Sequence, residues 1–262
     1  MRTDYLTFDQ SGVANGYRAE RLRLRAQVVA MDDAQLATQS LCDEWRVRDV
    51  VAHLTGLVAD ILGGDTGGAG RPDATARQVA TRADLAMGDL LAEWDEVGEG
   101  LAALIEAFDD ATWATPLPGG QTMGEGAERL LGDIWMHAND INVALGGPPV
   151  DGPGLAAAMN VATNEWPLRL AHFAPDLPVT ILTGHLRIDV PGGGSGGPGS
   201  GEGAAVLAGD PALLALLSAD RLTIAEAQAF GRCTVDPRIP AVVVNVYGEP
   251  VPGSSMFSVP PA

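Results

Sequence analysis

Asp133 and His137 stand four residues apart within residues 124–147, GEGAERLLGDIWMHANDINVALGG, where Leu130, Ile134, Ile141 and Leu145 recur at helical spacing. Side chains four apart on a helix project beside one another, so this carboxylate and this imidazole can share one hydrogen bond or one ligand. A second imidazole, His53, lies beside the apolar face of VRDVVAHLTGLVADIL, residues 47–62. Two imidazoles and one carboxylate leave a position open on a four-coordinate divalent ion, the arrangement of catalytic rather than structural zinc. Zinc so held lowers the pKa of a bound water or thiol and polarises a carbonyl. The same residues also suit a plainer role, a buried histidine satisfied by a hydrogen bond. Residue types alone leave both open.

Positioning these groups requires helices. Val47, Val50, Val51, Leu54, Leu57, Val58 and Ile61 give residues 47–62 a wide apolar face. An earlier helix is expected over residues 8–31, with Leu22, Leu24, Val28 and Val29 inward and Arg18, Arg21, Arg23 and Arg25 solvated. Helical periodicity returns over residues 74–108, and a Pro/Gly turn at 113–121 leads into the Asp133–His137 helix, which Gly146-Gly147-Pro148-Pro149 stops. Four helices with short breaks predict an antiparallel four-helix bundle over residues 1–150.

Residues 151–262 read differently, as a small α+β domain. A helix over 155–171 should end or bend at Pro167. Strands follow at 178–183 and 185–190, then a Gly-rich turn at 192–203 and a returning strand at 204–208. Asp210-Pro211 opens a helix through residue 217, residues 221–230 form another, and 241–246 a terminal strand.

Composition narrows the function classes. The 262 residues are 46% hydrophobic and 19% charged, a globular balance, and the net charge is −18. Nucleic acids and anionic membranes, which require Lys/Arg surfaces, are poor partners for such a chain. Cys42 and Cys233 are too few and too far apart for a disulfide scaffold, and there is no CxxC pair. Without a signal-peptide pattern or an apolar run of about 20 residues, the expected location is cytoplasmic.

Two segments carry a family resemblance. CDEWRVRDVVAHLTGL, residues 42–57, resembles the Cys-x-x-Trp-x-Val-x-Asp-Val-x-x-His-Leu segment of the mycothiol-dependent maleylpyruvate isomerase family. GDIWMHANDINVALG, residues 132–146, is similar to its second signature, an acidic residue followed four later by His and then by Asp and Ala-Leu-Gly. The resemblance implies a DinB-like four-helix bundle followed by a C-terminal domain like sterol carrier protein. It implies His53, Asp133 and His137 as ligands of a divalent metal, zinc first, and mycothiol as thiol cosubstrate. Asp133 departs from the family's usual Glu by one methylene. The implied activity is isomerisation or S-transfer on a small electrophilic, carboxylated substrate by a monomer, with Arg221 and Arg232 as candidates to clamp the carboxylate. Competing readings are a non-catalytic small-molecule or lipid-binding protein and a zinc hydrolase. Trp45 and Trp135 are expected to pack, and Asp49, Asn139 and Asp140 are candidates to orient a ligand.

Overall fold

Helix starts in the computed structural model follow the capping chemistry of the sequence. The structure describes residues 4–43, 45–66, 71–117, 120–193, 203–247, 251, 252 and 254. Asp9 accepts from the Gly12 amide at 2.6 Å and opens α1 (Gln10–Val29). Asp32 and Gln35 form a capping box on α2 (Asp33–Leu36), and Asp49 reaches back to the Arg46 amide at 3.0 Å to start α3 (Val47–Leu62). Pro72 occupies the first turn of α4 (Pro72–Thr81), where its missing donor costs nothing. α5 (Met87–Glu106), α6 (Asp110–Trp113) and α7 (Met123–Ala144) complete the set. The expected helix over 74–108 is therefore two helices.

These elements form one compact unit, Phe8–Thr115 with Met123–Gly154. Its four long helices make the predicted bundle: α1 packs on α5 and α7, and α3 packs on α5, α4 and α7. Trp94, Trp135, Leu24, Leu90, Leu101, Leu131, Ile134 and Ile141 are fully buried in it. The inward face of α1 differs from expectation. Leu22 and Val29 are 55% and 58% exposed, whereas Tyr17, Glu20 and Arg21 are buried with Leu24 and Val28. Of the arginines expected to be solvated, three pair across helices, Arg18 with Glu99 and Glu106, Arg21 with Asp95 and Glu99, and Arg25 with Asp95, while Arg23 pairs with Glu20 on α1 itself. Gly98 makes room, because a Cβ there would collide with the Arg21 stem.

The other compact unit comprises Met1–Thr7, Pro116–Thr122 and Leu155–Ala262. It holds α8 (Leu155–Phe173), β1 (Val179–Thr183), β2 (Leu186–Val190), β3 (Ala205–Gly209), α9 (Pro211–Ser218), α10 (Ile224–Ala229), β4 (Cys233–Val235) and α11 (Ala241–Val244). Its sheet has the order β2-β1-β3-β4, with β1 antiparallel to β2 and parallel to β3, and β3 antiparallel to β4. The strand after the Gly-rich segment thus pairs with β1 rather than returning along β2; residues 194–202 of that segment lie outside the described residues. The N-terminal arm joins this unit through reciprocal bonds between the Leu6 backbone and Asn160, at 3.0 and 2.8 Å.

Two expectations are corrected here. Residues 241–244 are helical, not a strand: Pro240 is the N-cap, and side-chain donors take the run's carbonyls, Trp166 Nε1 to Val244 at 3.0 Å and Arg169 Nε to Val242 at 2.9 Å. β4 therefore stands at Cys233–Val235. α8 runs through Pro167 to Phe173. A mid-helix proline costs about 3 kcal/mol, which the burial of Met159, Trp166, Arg169 and Leu170 along the helix offsets.

Candidate metal centre

α3 contributes His53, and α7 contributes Asp133 and His137 one turn apart. One donor atom from each of the three lies within 4.8 Å of the others. His137 Nε2 is 3.6 Å from Asp133 Oδ1. Two ligands about 2.0–2.1 Å from one tetrahedral ion stand roughly 3.4 Å apart, so this spacing suits a shared ion. The shorter Asp133 therefore still reaches the histidines. The rings of His53 and His137 meet nearly edge-on, 5.3 Å between centroids.

Each imidazole has its Nδ1 engaged elsewhere. His137 Nδ1 lies 2.8 Å from Asp140 Oδ2. His53 Nδ1 lies 2.9 Å from Gln78 Oε1, an oxygen that can only accept, so Nδ1 carries the proton. Both Nε2 atoms are thereby the ones available to a metal, with outer partners fixing the tautomers. The residues present fit a divalent ion: two imidazole nitrogens and one carboxylate oxygen, a set shared by zinc and several other metals.

A second grouping, Cys42, His137 and Asp140, is wholly buried and shares His137. Its separations are those of hydrogen bonds: the Cys42 thiol donates to Asp140 Oδ2 at 3.0 Å, and Sγ is 3.5 Å from His137 Nδ1. It therefore reads as the outer support of His137.

Electrostatics drive the two histidines apart. Burial, reinforced by the neighbouring His137, lowers His53 to about 4 against the opposing pull of Asp133 and Gln78. Burial also pushes His137 down, but the charge of Asp133 and the hydrogen bonds with Asp140 and Cys42 together raise it well above 6.5. The Asp133 side chain is 38% exposed against 7% for His137, so solvent meets the cluster at Asp133.

The remaining candidates divide. Asp140 orients His137, as expected of an orienting residue. Asn139 instead ties Trp135 O to the Val150 backbone, and Trp135 packs fully buried. Asp49 is taken by Arg46, whose hydrogen bonds outweigh burial and hold its carboxyl below the usual range. Trp45 is half-buried, its ring 4.8 Å from His53 and 6.3 Å from His137. Arg232 pairs with Asp210 at 2.8 Å, and Arg221 Nη1 donates to Ala219 O at 3.3 Å. Both belong to the second compact unit. Gln78 escapes sequence reasoning, since no spacing marks it as a partner of a histidine, and Cys42 stands in the first family segment without any spacing that pairs it with His137.

No helix among the described residues is long and apolar enough to cross a membrane. Residues 17–142 match the family model described as mycothiol maleylpyruvate isomerase N-terminal domain. Two solved structures are similar over 91% of this chain and 98% of theirs: the mycothiol-dependent maleylpyruvate isomerase, at TM-score 0.62, and a histidine-to-alanine mutant of it, at 0.59. Each is 16% identical to this chain, a likeness that establishes the fold. No curated protein matches.

Proposed function

Because residues 17–142 form a domain of the mycothiol maleylpyruvate isomerase N-terminal family, we propose that this chain is a divalent-metal enzyme using a low-molecular-weight thiol, mycothiol in the family's name. Its substrate is a small electrophilic, carboxylated molecule that it isomerises or joins to sulfur. The observation that carries this reading is the convergence of His53, Asp133 and His137 while both Nδ1 atoms are held elsewhere. An ion held by these three side chains, zinc being expected, would keep one position open at which a thiol loses its proton near neutral pH.

The protein's own residues then have defined tasks. His53 and His137 present lone pairs on Nε2 because Gln78 and Asp140 hold the opposite nitrogens. Asp133 supplies the balancing charge and borders the solvent side, where a thiol and a substrate arrive. Trp45 packs its ring against that of His53, 4.8 Å between centroids. Arg221 and Arg232 are the guanidinium groups we assign to the substrate's carboxylate. Addition of the thiol to an unsaturated carbon and its later expulsion would allow cis–trans isomerisation without net redox change; retention of sulfur would give S-transfer. The non-catalytic alternative on the same scaffold is not favoured by the family match.

Elemental analysis is the test. We expect about one zinc per chain in the purified protein and none in an Asp133→Ala, His137→Ala double variant that remains folded. No metal in either, even after zinc is supplied, would sink the enzyme reading. Turnover independent of any thiol would redirect it to hydrolysis.

A further inference from the structure

His53 and His137 are steadied by different chemistry. His137 leans on a carboxylate, whereas His53 leans on the neutral amide of Gln78, at 2.9 Å. Gln78 lies on α4, outside both family segments, and is 3% exposed. An amide can present oxygen or nitrogen in nearly the same shape, and only the oxygen suits a protonated Nδ1. Asp60 decides between them. Gln78 Nε2 donates to Asp60 Oδ2 at 2.7 Å, and an ionised carboxylate only accepts. Arg77 donates to the same Asp60 oxygen at 3.0 Å and to Asp65 at 3.2 Å, which holds that carboxylate in place. With nitrogen committed to Asp60, the Gln78 oxygen faces His53, and the ring's lone pair is left on Nε2. Gly56 of α3 lets the two helices come this close, since a Cβ there would sit 2.6 Å from Gln78 Cβ.

We propose that Gln78, with its amide set by Asp60, is a positioning residue that fixes the tautomer and orientation of His53 for metal binding. This rests on the metal reading above. A chain Arg77–Asp60–Gln78–His53 thus links the exposed face of α4 to the ligand.

Metal-free protein titrated with zinc against a chromophoric chelator, and with cobalt(II) followed by its visible absorption, tests this. Gln78→Met keeps the volume and removes the acceptor; it should weaken zinc binding ~10–100-fold, the range for lost outer partners of ligands, and alter the cobalt spectrum. The metal-free variant loses the bonds to His53 and Asp60 and should melt below wild type, so affinities are compared at a temperature where both are folded. Gln78→Glu keeps an acceptor oxygen toward Nδ1 and should bind within a few-fold of wild type, although it adds a carboxylate beside Asp60. A purely structural role gives the reverse order, so a Gln78→Glu variant weaker than Gln78→Met overturns the proposal, as does unchanged affinity in Gln78→Met. Should Gln78→Met not fold, Asp60→Asn replaces it: the amide is then free to flip, and unchanged zinc affinity overturns the proposal. Failure of the wild type itself to bind zinc or cobalt overturns the metal reading, a result independent of position 78.

Discussion

His53 and His137 are the same side chain in one cluster, yet their surroundings assign them opposite charge states when no metal is bound. Burial lowers His53 to about 4, so it is neutral at pH 7, while the negative groups around His137 outweigh burial and keep it protonated there. Metal coordination requires both Nε2 lone pairs, so uptake must displace a proton from His137 and none from His53. Calorimetric zinc titrations at pH 7 in buffers of different ionisation enthalpy should therefore report about one proton released per ion. Apparent affinity should rise about tenfold per pH unit below the pKa of His137, since one proton competes; a slope near two would mean that His53 is charged as well. The origin of this asymmetry is only partly written in the chain. Asp133 and His137 are legible because i,i+4 spacing makes them neighbours on any helix, and His53 because it falls in a family segment. Gln78 is not, and Cys42 is legible as part of that segment but not as a partner of the His137 cluster, because the bonds that matter span 25 and 98 residues and depend on which helices meet.

Helix packing shows the same limit at the next scale. The bounds of α3 follow directly from its apolar periodicity and Asp49 cap, and the Gly-Gly-Pro-Pro stop places the end of α7. The facing of α1 does not follow from hydrophobicity, because Arg21 enters the bundle under Gly98 while Leu22 and Val29 stay outside. Ion pairs from the buried Arg21 to the more exposed Asp95 and Glu99 overrule the apolar count there, and short Val-rich runs such as 241–244 take the structure that lets neighbouring donors reach their carbonyls. Gly56 gives a quantitative case. Alanine in a helix interior gains up to about 1 kcal/mol over glycine, but a Cβ here would lie 2.6 Å from Gln78 Cβ and 2.8 Å from Arg82 Nη1. Overpacking of that kind costs about 1–3 kcal/mol, so the clash wins. Urea unfolding of Gly56→Ala should show a lowered midpoint with an unchanged slope, and its zinc affinity should fall because Gln78 is displaced. A variant as stable as wild type would show that α4 can retreat from α3 without cost.

Charge is where the whole molecule bears on the proposed reaction. The chain carries −18 and is proposed to act on a carboxylated substrate, so its long-range field opposes the encounter it needs. Salt screens such repulsion within about 10 Å at 0.1 M. If the overall field governs approach, kcat/KM for an anionic unsaturated acid should climb roughly two- to five-fold between 10 and 200 mM salt, while kcat, measured after binding, stays level. Arginines that face the substrate would work against this, since a local positive potential attracts an anion and is weakened by the same salt. The direction of the salt effect therefore separates the two influences. A rise assigns approach to the net charge and leaves Arg221 and Arg232 as local contacts whose replacement by alanine raises KM without changing the salt slope. A fall assigns approach to the arginines, and Arg221→Ala or Arg232→Ala should then convert it into a rise. Ionic-strength profiles of wild type and the two variants decide it, because a guanidinium with no role in substrate capture leaves both KM and the slope unchanged.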